Sequence, residues 1–135
     1  MIPFAKDVME RDVITVSPET GVEDAMALLI EKGISGMPVV DAQGNMVGIV
    51  TEKDMLTLLY GSLYEQPEAA KTVADLMTTG VKTVNEDDEI TDVTECLIDN
   101  DFRRVPVLSD GKLVGLISRP DIMRVILELR TKTEQ

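Results

Sequence analysis

The chain has 135 residues, of which 44% are hydrophobic and 3% aromatic, and its formal net charge is −12. This length allows one compact domain or two half-domains that share a core, and the core must be built from Val, Ile, Leu and Met. The negative charge argues against binding to nucleic acids or anionic membranes, because both require basic patches, and no apolar run is long enough for a transmembrane helix. Lys6 and Asp7 come too early for a signal peptide, so we expect a cytoplasmic location.

The first half of the chain alternates predicted strands and helices. Val13–Val16 is rich in β-branched residues and predicts a strand. Apolar residues with helical spacing follow, and Gly33 would end their helix: Val22, Ala25, Met26 and Leu29. Two apolar runs around a Gly-containing loop predict a hairpin: Met37–Val40 and Met46–Val50. A second helix is expected over about Glu52–Tyr60, with three residues facing inward: Met55, Leu58 and Leu59.

The second half predicts the same order of elements. Val81–Val84 is a predicted strand, and the Asp110-Gly111 turn joins two more, Val105–Leu108 and Leu113–Ile117. Two helices are marked by apolar spacing: Ile90, Val93, Thr94 and Leu97, then Ile122, Val125, Ile126 and Leu129. Each half is therefore β-α-β-β-α, and the fold class is α/β of the α+β type. The predicted boundaries are 8–61 for repeat 1, 62–75 for the connection and 76–129 for repeat 2.

The two halves are copies of one unit. Residues of the first copy recur 68 positions later, or 67 positions later after a one-residue deletion: Met9/Met77, Val13/Val81, Thr15/Thr83, Asp24/Asp92, Pro38/Pro106, Gly48/Gly115 and Asp54/Asp121. A tandem duplication predicts two repeats related by a pseudo-twofold axis, packed sheet to sheet, with binding clefts where they meet.

The most informative motif joins the last strand of each copy to the following helix. It reads Gly, two aliphatic residues, Thr or Ser, two free positions and Asp, and it spans Gly48–Asp54 and Gly115–Asp121. One hypothesis makes the hydroxyl residue and the Asp a helix cap. The other makes the Asp a ligand for the two hydroxyls of a ribose. Asp is shorter than the Glu or Gln of a usual capping box, and the Gly suggests a close backbone approach, which favours the ligand.

This tandem pattern, with V-I-T-V-S-P upstream and an aliphatic-Pro-Val strand between, resembles the cystathionine-β-synthase-type (CBS) domain pair, or Bateman module, over about residues 8–128. The resemblance implies a disc-shaped pair that binds an adenosine-containing regulatory ligand, such as AMP, ADP, ATP, S-adenosylmethionine or a dinucleotide. It also implies a homodimer, a separate effector protein as a partner and no obligatory cofactor.

The resemblance assigns roles to residues of both copies. Asp54 and Asp121 would bind the ribose, backbone groups near Ile14 and Lys82 the adenine edge, and the aliphatic residues beside two prolines would sandwich the ring. The full set is Ile14, Thr15, Pro38, Thr51, Asp54, Lys82, Thr83, Arg103, Arg104, Pro106, Ser118 and Asp121. Arg103 and Arg104 would hold phosphate, with Lys82 or Arg119 as help, although a solvated or ion-paired surface is the alternative for this arginine pair. Copy one has Ser35-Gly36 there, so the two clefts would be chemically unequal.

Other chemistries find little support. The chain has no His and one Cys, Cys96, which we expect to be a small core residue, and it has no phosphate-binding glycine motif. The acidic run Glu86–Glu89 is explained by the helix that follows it. We therefore expect no metal site and no enzyme. Two hypotheses stay open: a ligand-sensing module, favoured by Asp54 and Asp121, and a ligand-free structural dimerisation module of the same fold.

Overall fold

The structure is a computed structural model that describes residues 2–63, 70–100 and 103–133. The helices are α1 (Ala5–Val8), α2 (Val22–Lys32), α3 (Glu52–Leu56), α4 (Leu58–Leu63), α5 (Val73–Leu76), α6 (Ile90–Asp99) and α7 (Arg119–Thr133). The strands are β1 (Gly36–Val40), β2 (Met46–Thr51), β3 (Val84–Asn85), β4 (Arg104–Ser109) and β5 (Lys112–Ser118). The mixture of helices and strands confirms the predicted α+β class. Part of the predicted connection, 64–69, lies outside the described residues.

The chain folds into two compact units whose boundaries differ from those of the sequence repeats. The central unit is Ile14–Val81, and the terminal unit combines the described residues up to Val13 with those from Lys82 onward. Each unit therefore contains the strands and main helices of one repeat, together with a segment that precedes the other repeat in the sequence. We call these segments the arms: residues 2–13 in the terminal unit and 70–81 in the central unit.

The terminal unit has a three-stranded sheet in the order β3-β4-β5. β3 runs parallel to β4, and β4 pairs antiparallel with β5. Asp110 and Gly111 both have positive φ in the tight turn between β4 and β5, which is typical of a two-residue hairpin. One face of this sheet packs against α6 and α7. The core is formed by Ala5, Met9, Val84, Ile90, Val93, Leu97, Val105, Val107, Ile117 and Ile122, and Cys96 packs against it while partly buried.

The central unit repeats this arrangement with a smaller sheet of β1 and β2. Its buried core comprises Val16, Ala25, Leu29, Met37, Val39, Val50, Met55 and Val73. Gly33 ends α2 with φ of 62° and donates its amide to the carbonyls of Ile30 and Leu29, so the predicted cap is confirmed.

The two arms make equivalent backbone hydrogen bonds in their own units. Ala5 N donates to Asp88 O at 2.8 Å, as Val73 N donates to Thr20 O at 2.8 Å. Glu10 exchanges two such bonds with Leu116. In the central unit their counterparts, Thr78 and Ile49, exchange the same two bonds. Each arm also contains a four-residue helix, α1 or α5, that the sequence analysis missed.

The predicted first strand of each repeat is wrong in extent. Val16 makes only an isolated parallel bridge to Val39, and β3 begins at Val84 rather than at Val81. The cause is a proline in the neighbouring strand. Val16 N donates to Pro38 O at 3.2 Å and Val40 N donates to Val16 O at 2.9 Å, but the next parallel bond would need an amide hydrogen on Pro38, which has none. Pro106 occupies the equivalent position in the terminal unit.

The helix predicted over Glu52–Tyr60 is interrupted. α3 ends at Leu56 and α4 begins at Leu58, and between them the hydroxyl of Thr57 donates back to the carbonyl of Asp54 at 2.8 Å. Met55 is buried as predicted, whereas Leu59 is 57% exposed and does not face inward.

Candidate functional site

The Thr51–Asp54 pair lies at the junction of β2 and α3 and forms a reciprocal helix cap. Asp54 N donates to Thr51 Oγ1 at 3.2 Å, and Thr51 N donates to Asp54 Oδ2 at 2.9 Å. The Thr51 hydroxyl donates to the same Oδ2 at 3.0 Å. The other oxygen, Oδ1, lies 3.5 Å from the hydroxyl of Thr78 in the arm.

At the start of α7, Ser118 makes the same two hydrogen bonds to the Asp121 carboxylate. Ser118 N and Oγ donate to Asp121 Oδ2 at 2.8 and 2.9 Å. Asp121 Oδ1 instead accepts a hydrogen bond from Arg124 Nη1 at 2.8 Å. The Asp121 side chain is 17% exposed, and its bonds to Ser118 and Arg124 hold the carboxylate in place.

Asp is long enough for this cap, and the chain uses it repeatedly. The same backbone-to-carboxylate bond joins Phe4 N to Asp7 at 2.8 Å, Thr72 N to Asp75 at 3.0 Å and Asn85 N to Asp88 at 2.8 Å. The sequence argument that the shortness of Asp favours a ligand is therefore wrong. Among these carboxyls, the amides of Thr72 and then Lys71 lower the pKa of Asp75.

The glycine that opens each motif is needed because the arm passes over it. A Cβ on Gly115 would lie 2.9 Å from Glu10 O, and one on Gly48 would lie 2.8 Å from Thr78 O. The close approach predicted at these glycines is confirmed, but the approaching backbone belongs to the chain itself.

Arg104 lies beside the Ser118–Asp121 cap. It pairs with Ser118 across β4 and β5, so both side chains project from the same face of the sheet. Arg104 Nε is buried and has no hydrogen-bond partner, whereas Arg103 is exposed. A buried N–H without an acceptor is costly, and an anion is the acceptor that suits a guanidinium best. The counterpart in the central unit is Gly36, which pairs with Thr51.

The remaining predicted residues are distributed over both units. Pro38 and Pro106 are fully buried, and so are the aliphatic residues beside them, which belong to the two cores: Met37, Val39, Val105 and Val107. In the central unit Ile14 packs partly buried against the core and Thr15 is also partly buried. In the terminal unit Lys82 is exposed and Thr83 is partly buried.

Two residues near the carboxylates were missed by the sequence analysis. Thr78 belongs to an arm that contacts β2 across a long sequence separation, and no local pattern predicts that contact. Arg124 follows Asp121 by three positions on α7, and this spacing alone predicts an ion pair on a helix.

A cavity of about 560 Å³ in the terminal unit is lined by Asp121 and Arg124. It lies between the arm and α7, and its other polar residues are Asp7, Glu128 and Lys132. Arg104 and Ser118 are not among its lining residues. Among the residues that line this cavity, Asp121 is therefore the only predicted binding residue.

Comparison with known protein families decides the identity of the fold. The family model described as "CBS domain" matches residues 5–61 and again residues 73–128. The chain belongs to the CBS domain family. The resemblance inferred from the tandem motif is thus confirmed, and the two matches make the chain a CBS-domain pair.

The chain is similar to CBS-domain pairs of known structure. The crystal structure of CBSX2 in complex with AMP shares 34% sequence identity and a TM-score of 0.83, and the match covers 95% of this chain and 98% of that one. The CBS domain pair of MJ0100, in complex with 5′-methylthioadenosine and S-adenosyl-L-methionine, shares 29% identity and a TM-score of 0.75, with 93% and 97% covered.

The curated relatives are longer than the matched region. The chain is 32% identical to CBSX2, a chloroplastic CBS domain-containing protein of Arabidopsis thaliana, over 88% of this chain and 60% of that protein. It is 35% identical to inosine-5′-monophosphate dehydrogenase of Methanocaldococcus jannaschii over 89% of this chain and 23% of that enzyme. Among the described residues of this chain, no helix is long and apolar enough to span a membrane.

Proposed function

We propose that this CBS-domain pair is a regulatory module that binds an adenosine-containing ligand and changes its shape or its dimer contacts in response. CBSX2 with AMP and MJ0100 with S-adenosyl-L-methionine are similar proteins that bind ligands of this class. A ligand shifts an equilibrium between two states only by its difference in affinity for them, so the sensing role requires two conformations or two assembly states.

The observation that carries this proposal is the unsatisfied Nε of Arg104 beside the Ser118–Asp121 cap. A carboxylate that accepts hydroxyl hydrogens and a guanidinium that lacks an acceptor match the two polar ends of a nucleoside phosphate. We assign the ribose hydroxyls to Asp121 and the phosphate to Arg104, with Arg103 as a second cation. Asp54 would take the ribose in the other site, where Gly36 offers no charge for a phosphate.

The other residues of the proposed sites complete this assignment. Thr51 and Ser118 orient the carboxylates through the bonds described above. Backbone groups at Ile14 and Thr15, and at Lys82 and Thr83, would contact the adenine. Pro38 and Pro106 would lie near the ring.

The test is ligand affinity in Asp121→Ala and Asp54→Ala, measured by isothermal titration calorimetry with AMP, ATP, adenosine and S-adenosylmethionine. A charged hydrogen bond contributes about 1.5–3 kcal/mol, so a carboxylate that accepts two is expected to lose about 10²- to 10⁴-fold in affinity when it is removed. Arg104→Ala should weaken AMP and ATP far more than adenosine.

A matched control separates the lost cap from the lost ligand contact. Asp75→Ala also removes a cap formed with a preceding Thr, but Asp75 lies outside the proposed sites. It should lower stability, as the other two substitutions do, and leave affinity unchanged. Equal affinities in all three variants and the parent would remove the ribose assignment.

We further propose that the module is a homodimer, because both repeats expose apolar residues at equivalent positions. Ile30 and Ile98 are 76% and 71% exposed, and Leu56 and Met123 are 71% and 59% exposed. Such residues recurring in both copies indicate, on each unit, an apolar surface that a second copy of the chain covers. This surface equally supports the second candidate, a ligand-free dimerisation module.

Light scattering during size-exclusion chromatography tests the dimer. Ile98→Lys and Ile30→Lys should shift the mass toward that of a monomer. Leu63→Lys is the control, because Leu63 is 63% exposed but its counterpart 67 positions later is Arg130, a charged residue. A monomeric parent would refute the dimer, and a dimer that binds none of the nucleotides would favour the ligand-free module.

The role of the module is proposed to be regulatory rather than enzymatic. The region of inosine-5′-monophosphate dehydrogenase that resembles this chain is less than a quarter of that enzyme. We propose that the module acts on a separate effector protein. The cytoplasmic location stays a prediction from the sequence.

A further inference from the structure

Asp54 and Asp121 differ in what contacts Oδ1, the carboxylate oxygen that the cap does not use. Asp54 Oδ1 is 3.5 Å from the Thr78 hydroxyl, whereas Asp121 Oδ1 accepts from the guanidinium of Arg124 at 2.8 Å. The residue at the position of Arg124 in the first copy is Thr57, which binds the Asp54 carbonyl instead. The two carboxylates are thus equivalent as caps and different as acceptors.

Hydrogen bonds within the chain occupy most of the acceptor positions of the Asp121 carboxylate. A carboxylate has about four acceptor positions. Ser118 N and Oγ take two on Oδ2, and Arg124 takes one on Oδ1. A ribose presents two hydroxyls, so the second can reach Asp121 only if Arg124 leaves.

We infer that Arg124 makes the Asp121 site selective for nucleotides that carry a phosphate. When the ligand binds, the Arg124 guanidinium leaves the Asp121 carboxylate and binds the phosphate, in addition to the contact that Arg104 makes with it. This inference rests on the proposed function, in which Asp121 binds the ribose. An adenosine must displace Arg124 and offers it no acceptor in return. AMP displaces it and supplies a dianionic acceptor that suits a guanidinium.

The position of Arg124 permits such an exchange. Its side chain is 71% exposed, and an exposed ion pair of this kind is weak, so its displacement lowers affinity by about fivefold at most. It lies in the 560 Å³ cavity with Asp121, where Lys132 is another cation. The carboxylates of Asp7 and Glu128 line the same cavity and compete for the freed guanidinium. A phosphate dianion offers more charge and more acceptor oxygens than either.

The test compares adenosine and AMP in Arg124→Thr, which installs the residue of the first copy. Affinities are measured by calorimetry in an Asp54→Ala background, so that the measured binding comes from the Asp121 site alone. Adenosine should bind about two- to fivefold more tightly than in the parent, and AMP about tenfold more weakly. The opposite signs are informative, because a general distortion of α7 would weaken both ligands.

The reciprocal variant is Thr57→Arg in an Asp121→Ala background. A guanidinium placed there should raise the preference of the Asp54 site for AMP over adenosine by several-fold. If the parent binds both ligands and Arg124→Thr leaves their affinity ratio unchanged, the exchange is refuted while the proposed function stands. If the parent binds neither ligand, both proposals fail.

Discussion

Substitution of Gly115 by Ala tests how tightly the arm of the terminal unit, residues 2–13, packs on β5. The added Cβ would lie 2.6 Å from Met9 Sδ, 2.8 Å from Met9 Cγ and 2.9 Å from Glu10 O. The Met9 side chain can move, but Glu10 O is fixed by the two backbone hydrogen bonds between Glu10 and Leu116. Overpacking of this kind costs about 1–3 kcal/mol. With about 2.1 cal/mol/K of unfolding entropy per residue, the 135-residue chain should lose about 4–11 °C in Tm.

The assay is thermal unfolding followed by circular dichroism, with two companion variants. Gly48→Ala should lose a similar amount, because its Cβ would lie 2.8 Å from Thr78 O. Gly21→Ala is the control, since the nearest atom to its Cβ, Asp24 Oδ2, is 3.8 Å away. Adding Met9→Ala to Gly115→Ala should not restore stability, because the clash with the backbone persists. A Tm of Gly115→Ala within about 1 °C of the parent would refute the tight contact between arm and strand.

Three further predictions concern stability. Gly33→Ala forces a left-handed φ of 62° on a residue with a Cβ and should lower the unfolding free energy by about 1 kcal/mol, seen in urea melts. Hydrogen bonds from the amides of Thr72 and Lys71 lower the pKa of Asp75 in the folded state, so the stability that its carboxylate contributes is complete above the unfolded-state pKa and is lost as the pH falls through the folded-state pKa. Asp75→Asn should therefore be less stable than the parent at pH 7 and equally stable in acid. A stability difference that does not change with pH would contradict this. Ile117→Ala removes a fully buried side chain and should cost about 2–5 kcal/mol by calorimetry.

The order of the main elements could be predicted because each follows from local spacing. The apolar periodicity of α2 and α6 and the turn residues of the hairpins lie within a few positions of one another. The short helices α1 and α5 have four residues each, which is too few for a helical period to be read. The strand ends were missed because Pro38 and Pro106 act on a strand that is distant in sequence.

The candidate site shows the same division between local and distant information. Asp54 and Asp121 could be found because the motif occurs twice, and their caps follow from residues three positions apart. The contact between Thr78 and Asp54 could not, because it joins residues 24 positions apart through an arm whose packing is set by tertiary structure. The glycines illustrate a partial success: the pattern indicated a close approach but not which backbone approaches.

The cap and the proposed ligand contact of Asp121 support each other rather than compete. The cap uses Oδ2 and fixes the side-chain rotamer through Ser118, so Oδ1 is oriented before any ligand arrives. A contact group that is already ordered loses little conformational entropy on binding, which raises affinity without an added contact. Asp75 has the same cap but is exposed. Among the described residues, the buried side-chain atom that lacks a hydrogen-bond partner is Arg104 Nε, and it belongs to the other unit. The cap thus explains why an Asp occupies the position, and the surroundings of Oδ1, which the cap does not use, determine whether that Asp can also bind a ligand.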